Sequence, residues 1–430
     1  MSTSFDTITE AQRARITHWQ WGILALAVIA EIFLAADWYG FAAVLTFVSE
    51  SIHLEPWQAG FAQGIFAISY GLGMFFWSPV SRTMTSRRML VIGLIGSGLG
   101  MAVQVYVQGF AELVILRIII GFFDAAVWTG NIKLMVGWWP ESRRASIMGI
   151  ILAAYSLAIT ADFAIGIPLT IAYGWRTFFA VLAVLTLAVG ILDLILVRDN
   201  PRDIGIKDFI WEIAKPVSSG AASLLEIFKS RWIYVGALGI GGCTFALSGT
   251  ATWVIPTYIK VQGMPVANAA LVGTAMGLSQ VVFLVIGGYV TDWVNNRPAV
   301  IKFGAFLGVL VGLGFLLTAF TPMTFGPLLL IAALSGIAVF AGGAIFSLVS
   351  QKYPDRLVPA AVGYAEVMGV IATFISPSLM GAVINITGSF AWAFVAYTVC
   401  EVLVLIVLLV LAREPAASSS AAVAGSAAAH

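Results

Sequence analysis

Ionisable side chains lie inside an apolar stretch that is long enough to cross a membrane. Residues 121–144 read GFFDAAVWTGNIKLMVGWWPESRR, which places Asp124 and Lys133 within the stretch and Arg117 just before it. A charge at the centre of a bilayer costs about 3 kcal/mol or more, so such residues are rare and face a bundle interior or a water-filled cavity. These three side chains are therefore the first candidates for chemistry.

Helical geometry sorts these charges onto two faces. Arg117, Asp124 and Asn131 are spaced by seven residues, which keeps them on one stripe that drifts by about 20° per step. We expect that stripe to line a cavity. Lys133 is nine residues from Asp124, about 180° around an ideal helix, so the two face different surroundings unless the helix bends.

The stripe predicts a coupling site. Burial favours the neutral form of a carboxyl group and a nearby guanidinium favours the ionised form, so a carboxyl held between them can change protonation as its access alternates. Our hypothesis is that Asp124 binds a coupled proton and that Arg117 pairs with it when it is deprotonated. The alternative is a permanent structural pair. Arg117 is also the best candidate to hold a substrate carboxylate, because guanidinium binds carboxylate through two parallel hydrogen bonds.

Other intramembrane residues extend the candidate site. Asp37 and Glu366 are further candidates for proton binding, each against the alternative of an interhelical hydrogen bond. Lys133 could contact an anion from the inner side or extend its ammonium to the membrane interface. Asn131 shares the stripe with Asp124, and several aromatic side chains could supply hydroxyls or apolar walls, although each is more often a packing residue; they are Tyr39, Trp128, Tyr155, Trp253 and Tyr364.

Two observations on charge remain open at this point. Asp193, Lys260 and Glu401 lie near the ends of apolar runs, and we expect them at the membrane interface. Acids within the spans outnumber bases, with Glu31, Asp37, Asp124, Asp162 and Glu366 against Arg117 and Lys133. Proton coupling explains some of these acids, whereas a cationic substrate would explain them more directly.

Composition excludes several classes of protein. The chain has 430 residues, of which 60% are hydrophobic and 10% are charged, whereas soluble proteins carry about 25% charged residues. A net charge of +1 leaves no basic stripe for nucleic acid. The two cysteines and three histidines form no metal-ligand spacing. No hydrolase or nucleotide-binding motif is apparent, so we expect a protein that is not an enzyme, has no cofactor, and draws its energy from a proton gradient.

The elements that carry these residues are predicted to be twelve membrane-spanning helices. A span needs about 20 apolar residues, and the candidates are 20–48, 57–80, 89–108, 111–138, 145–172, 176–197, 232–259, 267–291, 299–320, 326–350, 358–384 and 390–411. With the N-terminus in the cytoplasm, 18 of the 22 lysines and arginines fall on the inner side and only Arg176 and Lys260 fall on the outer side. Because inner loops are rich in basic residues, this asymmetry supports both the count and a cytoplasmic location of both termini.

The spans divide into two halves of six. We predict an N-terminal six-helix bundle over residues 1–197, a cytoplasmic linker over 198–231, a C-terminal six-helix bundle over 232–413 and a disordered tail over 414–430. The linker contains DFIWEIAK, a short amphipathic segment expected at the inner surface. Matching loops of the two halves read PVSRTMTSRR and GYVTDWVNNR, and repeated halves around a central site are common in transporters.

The loop between spans 8 and 9 carries the first family resemblance. Its Gly288, Asp292 and Arg297 match the G-x-L-x-D-R-x-G-R-R gating loop of the major facilitator superfamily, and the chain resembles that family up to about residue 413. Arg117, with Gly121 four residues on, is similar to the family's span-4 R-x-x-x-G pattern, and GWRTFF is similar to its G-W-R turn. In the first-half copy of the loop, Thr83 stands where the family has Asp.

Within the family the chain resembles the anion:cation symporters. Arg117, Asp124 and NIKLMVGWWPESRR follow that branch's R-x6-E-A, N-x-[KR] and W-F-P patterns, and WVIPTYIKVQGM follows its W-L-P-x-Y-L-x4-G element. Asp37 occupies the place of the Asp in its span-1 D-R pair, but Trp38 replaces the Arg, and Glu366 stands where the branch usually has Asn.

The resemblance implies an all-α membrane protein of two pseudo-symmetric six-helix bundles. It implies a secondary transporter that moves an organic anion, a carboxylate or sugar acid, together with protons by alternating access. The compact loops favour a bacterial inner membrane, and we expect a monomer. Its partners would be that small molecule, protons and the lipid bilayer, without nucleic acid. The first alternative hypothesis is a proton antiporter that exports lipophilic cations. The second, which the sequence supports less, is a membrane sensor that binds its ligand without transport.

Overall fold

The computed structural model describes residues 8–206, 224–353 and 357–413, and every regular element within them is helical. The amphipathic segment DFIWEIAK and the tail 414–430 lie outside the described residues. The described part contains twelve long helices, named here α1 to α12. In chain order they are Glu10–Ser51, Pro56–Val80, Ser86–Gln104, Phe110–Trp138, Glu141–Ala161 continued by Asp162–Gly166 and Ile167–Tyr173, Trp175–Leu196, Arg231–Lys260, Ala269–Val294, Arg297–Phe320, Phe325–Leu334 continued by Ser335–Val339 and Gly342–Lys352, Val358–Thr387, and Phe390–Leu411.

The helices confirm the predicted fold class. Among the described residues, eleven helices are long and apolar enough to cross a membrane. The remaining long helix is α4, 29 residues from Phe110 to Trp138, and it carries Arg117, Asp124 and Lys133. The charges that prompted the search for a site are therefore concentrated on a single long helix of the first half.

The helix pairs repeat between the two halves. In the first half α1 packs on α5, α2 on α4, and α3 on α6; in the second half α7 packs on α11, α8 on α10, and α9 on α12. This is the same set of contacts shifted by six helices, as expected for two pseudo-symmetric bundles. The halves meet where α2 packs on α11 and where α5 packs on α8.

Two helices depart locally from α-helical geometry. A π-helical stretch, Asp162–Gly166, interrupts α5, and a 3₁₀-helical stretch, Ser335–Val339, interrupts α10. Irregular turns of this kind occur often at functional positions in helices. In α5 the stretch places Phe163 against the backbone position of Gly273 on α8, so it lies at the contact between the two halves.

The halves are in close contact at the end of the bundle opposite the termini. Because the spans alternate in direction, the start of α1 and the end of α12 share one end, which we call the terminal end; the other is the far end. At the far end a methyl group added to Gly60 of α2 would lie 2.1 Å from the carbonyl oxygen of Pro377 on α11. Lys260 of α7 also binds Glu50 of α1 at 2.6 Å.

The close approach at Gly60 yields the first prediction. Gly60→Ala should lower transport by about tenfold or more, because a contact of 2.1 Å to backbone forces the helices apart and closed helix interfaces tolerate no added volume. Spin-label distances between the far ends of α2 and α11 should increase. Gly22→Ala is the matched control, since nothing lies within 4 Å of the added carbon. Unchanged distances in Gly60→Ala would contradict the prediction.

Candidate functional site

Arg117 is completely buried in the first half and is held by α1 and α2. Its guanidinium donates to the carbonyl oxygens of Asp37 at 2.9 Å, Trp38 at 3.1 Å and Ala62 at 3.3 Å, and to Oε1 of Gln63 at 3.3 Å. Its plane also lies over the rings of Phe41 and Phe66, 4.9 and 4.5 Å from their centres. All its donor nitrogens are therefore engaged by the protein, and none of these bonds goes to Asp124.

Asp124 and Asp37 form a buried carboxyl cluster beside Arg117. Both are fully buried, and the Ser97 hydroxyl of α3 lies within interaction distance of both carboxyls. Thr186 of α6 donates to Oδ1 of Asp37 at 3.3 Å. Within the described residues, both oxygens of Asp124 and Oδ2 of Asp37 lack a hydrogen-bond partner. A carboxyl in such surroundings is far costlier to ionise than one in water, so the cluster suits proton binding.

Asn131 belongs to a second buried pair on the same stripe. Its amide nitrogen donates to the Ala27 carbonyl at 3.2 Å and to Oε2 of Glu31 at 3.1 Å. Arg117, Asp124 and Asn131 thus share one buried face, as their spacing predicts. In the structure described, this face is buried against α1 and α2, which supply acceptors for Arg117 and Asn131.

A cavity of about 770 Å³ lies instead between α2, α4 and α11 towards the terminal end. Its polar lining consists of Ser78, Ser81, Thr129, Lys133, Tyr364 and Glu366. Large apolar side chains form most of its remaining walls, among them Leu72, Phe75, Trp128, Ile132, Val367 and Ile371. It spans the boundary between the halves, whereas another cavity of about 640 Å³ lies within the first half between α3 and α6. The boundary cavity is therefore the candidate substrate site.

Lys133 carries the only ammonium group and Glu366 the only carboxyl group among the described residues that line this cavity. The Lys133 ammonium donates to the carbonyl oxygens of Ser81 at 2.6 Å and Met84 at 2.7 Å, just past the carboxyl end of α2. Its position on the face opposite Asp124 agrees with the nine-residue spacing. An ammonium has three N–H donors, so one remains after these two bonds.

The five aromatic candidates lie in three separate parts of the structure. Trp128 and Tyr364 line the boundary cavity. Tyr39 and Tyr155 contact each other edge to face, with ring centres 5.9 Å apart, inside the first half. Trp253 lies at the closed far end, where its indole N–H donates to the Pro377 carbonyl at 3.0 Å. The structure therefore brings only two of these five predicted site residues together with Lys133 and Glu366.

The residues of the predicted gating loop lie on two helices, with Gly288 and Asp292 in the last turns of α8 and Arg297 at the start of α9. Arg297 donates from Nε to Oγ of Ser347 on α10 at 3.3 Å, so this residue joins α9 to α10. Asp292 is exposed. Gly288 has open space around its missing side chain, whereas an added carbon on Gly287 would lie 1.8 Å from the Phe340 carbonyl oxygen. The close backbone contact therefore requires glycine at position 287, next to the motif residue Gly288, and does not require it at position 288.

Several buried polar residues escaped sequence reasoning. Ser97 and Thr186 approach the carboxyl cluster from α3 and α6, and no spacing rule singles them out from other hydroxyls in apolar helices. Asp193 and Glu401, expected at the interface, are 0% and 1% exposed, and Oε1 of Glu401 and both oxygens of Asp193 lack partners in the described chain. Lys260 is exposed and lies at a helix end, as predicted.

The bonds of Arg117 yield a prediction about stability. Arg117→Lys should lower the free energy of unfolding by about 2–4 kcal/mol, because one ammonium cannot reach acceptors on two helices and leaves buried carbonyls unpaired. The melting temperature in detergent measures this loss. Arg176→Lys is the control, since Arg176 also donates to carbonyls, those of Val105 and Val107, but at partly exposed positions. Normal melting with loss of ligand binding in Arg117→Lys would instead favour the substrate role.

Comparisons with known proteins agree with this architecture. The sequence profile described as Major Facilitator Superfamily matches residues 27–377. The chain is 23% identical to the "Hexuronate transporter" of Bacillus subtilis (strain 168), over 86% of this chain and 90% of that protein. It is 22% identical to the "Probable L-galactonate transporter" of Escherichia coli (strain K12), over 81% and 79% of the two chains.

A solved structure is similar over nearly the whole chain. It is the bacterial homologue of the human lysosomal transporter Spinster, inward-facing and unoccupied, which aligns with a TM-score of 0.76 and 15% identity over 92% of this chain and 97% of that one. Eleven candidate spans and bacterial transporter relatives are consistent with a multi-pass protein of the inner membrane. The chain belongs to the Major Facilitator Superfamily and is a transport protein, not an enzyme.

Proposed function

We propose that this chain is a secondary active transporter that moves an organic anion, a carboxylate or sugar acid, in symport with protons by alternating access. The observation that carries the proposal is the cavity at the boundary of the two halves, with Lys133 on its wall and the halves in contact at the far end. The names of the relatives, which are transporters of hexuronate, L-galactonate and galactarate or D-glucarate, support an organic acid as the substrate.

Lys133 is the proposed anion-binding residue. Two of its donors are fixed by the carbonyls that follow α2, which holds the ammonium at a defined place on the cavity wall. The remaining donor can bind a substrate carboxylate, and a charge-assisted bond of this kind is roughly twice as strong as a neutral one. Trp128 and Tyr364 supply wall contacts. Arg117 and Asn131 stay predicted binding residues, and their hydrogen bonds to α1 and α2 also support a structural role.

The proposed proton sites are Asp37 and Asp124 in the first half and Glu366 at the cavity. The first two carboxyls are fully buried and lack full hydrogen bonding, so they are costly to ionise in place. A proton that enters from one side and leaves to the other would let a gradient drive uptake. Gly288, Asp292 and Arg297 remain the proposed gating loop, and a single chain is the proposed functional unit.

One observation favours the rival function. Glu366 is a carboxyl on the wall of a mainly apolar cavity, which would also suit a lipophilic cation exported in exchange for protons. The two functions differ in the direction of proton movement, because an anion symporter admits protons with its substrate whereas the antiporter exchanges them. A sensor would bind its ligand without any flux.

The coupling role of Asp124 is tested by proton flux in proteoliposomes. Asp124→Asn should reduce substrate-driven proton entry by about tenfold or more, because an amide cannot carry the coupled proton, while exchange of substrate across the membrane continues. Asp193→Asn is the matched control, since Asp193 is also buried with both oxygens unpartnered but lies outside the cluster. Undiminished proton entry in Asp124→Asn, or proton exit driven by lipophilic cations in the parent protein, would contradict the symport proposal.

The binding role of Lys133 has a separate test. Lys133→Gln should raise the Kd of a transported carboxylate about tenfold or more, because the neutral amide loses a charge-assisted bond. Lys260→Gln is the control, since Lys260 lies at the far end beside Glu50. Calorimetric titration of the purified protein measures both, and equal affinities in the two variants would remove Lys133 from the binding site.

A further inference from the structure

The boundary cavity has one basic side chain among its described lining residues, so it can bind one carboxylate group of a substrate through a charge but not two. Its lining includes a single base, Lys133 on α4, and a single acid, Glu366 on α11. A substrate carboxylate bound at Lys133 is therefore opposed across the boundary by a carboxyl group. A second carboxylate on the same substrate would meet either Glu366 or an apolar wall, and both are unfavourable for an anion.

Two of the four hydroxyl groups on the cavity wall, those of Ser81 and Thr129, are not free to donate to a ligand. The Ser81 hydroxyl donates to the Ser78 carbonyl at 2.6 Å, and the Thr129 hydroxyl donates to the Ala125 carbonyl at 2.8 Å. Both hydroxyls can still accept a bond, but their protons are committed to the backbone. A ligand with many hydroxyl groups would leave several of them unpaired, and each unpaired buried group costs about 1–3 kcal/mol.

Apolar surface dominates the rest of the lining. Phe75 is 64% exposed and lines the cavity together with Leu72, Trp128 and Ile371. A pocket lined mainly by apolar side chains with few polar groups gains affinity from the apolar part of its ligand and orientation from its polar end.

From these three observations we propose that the substrate is a monocarboxylate with a mainly apolar body, and that Glu366 acts against dicarboxylates while it is ionised, before it takes up a proton. This deepens the proposed function and rests on it, because Lys133 binds the carboxylate in both. It also separates this chain from its relatives named for galactarate or D-glucarate and for hexuronate. A repulsive group built against a wrong ligand is one of the two ways in which a site gains specificity.

Three six-carbon acids test the proposal on the full-length protein in nanodiscs. Hexanoate is a monocarboxylate with an apolar chain, adipate has the same chain with a second carboxylate, and gluconate is a monocarboxylate with hydroxyl groups. Calorimetric titration should give hexanoate a Kd at least about tenfold lower than that of either other acid. Glu366→Gln should lower the Kd of adipate about fivefold or more without improving gluconate, because it removes only the opposing carboxyl group.

Neighbouring phenylalanines provide the matched variants for the apolar wall. Phe75→Asn should weaken hexanoate binding about fivefold or more, whereas Phe76→Asn should not, because Phe76 packs against Trp77 and Phe122 and does not line the cavity. Equal or tighter binding of adipate or gluconate, still abolished by Lys133→Gln, would overturn this inference and leave the proposed function standing. If none of the acids binds at millimolar concentration while tetraphenylphosphonium does, both fail.

Discussion

A guanidinium inside a bilayer must find its acceptors within the protein, and the first half of this chain is arranged around that requirement. Arg117 donates hydrogen bonds to carbonyl oxygens of both α1 and α2, so one side chain of α4 fixes the rotation of two neighbouring helices. Once that rotation is fixed, Asp37 must face α3 and α6, where it meets Ser97 and Thr186. The buried carboxyl cluster is thus a consequence of the position of Arg117, because no water is present in lipid to satisfy these groups.

The same absence of water explains where a cavity can form. Within each half, polar groups are drawn inward and the helices pack closely, whereas the boundary between halves is held by small residues such as Gly60 and Gly277. These contacts contain few polar groups, so separating them costs mainly packing energy. The boundary can therefore be closed at the far end and open at the terminal end, while the interior of each half stays unchanged, as alternating access requires.

The sequence predicted the helices well because span length and apolarity are local properties. The span 390–411 agrees with Phe390–Leu411, and 57–80 with Pro56–Val80. The start of α1 at Glu10 was missed by ten residues, because its first turns are polar and are stabilised by a capping box from Thr9 to Gln12, a feature that hydropathy does not detect. The π-helical stretch in α5, which contacts α8, was also missed, because no local pattern in the sequence marks it.

The site was predicted less completely for a related reason. Spacing correctly placed Arg117, Asp124 and Asn131 on one face and Lys133 on the other. It could not tell which face meets the cavity, because that depends on acceptors supplied by α1 and α2, some 80 residues away for Asp37. Glu366 and Lys133 line the same cavity only because the two halves pack together. The one feature of the sequence that pointed to Glu366 was that it stands where the family branch usually has Asn.

The separation between the carboxyl cluster and the cavity constrains how the proposed proton coupling can work. Asp124 and Lys133 are on opposite faces of α4, and Arg117 makes none of its hydrogen bonds to a cavity residue. Protonation at the cluster therefore cannot act on a substrate by direct contact and must act by moving a helix. Tyr70 of α2 is placed to take part, because its ring centre lies 5.1 Å from that of Trp38, and the carbonyl oxygen of Trp38 accepts from Arg117. Since α2 also forms the cavity wall and the closed contact with α11, a change of charge in the first half can reach the boundary through α2 and α4, the helices joined by Arg117. The contact of α5 with α8 is a second place where the halves meet.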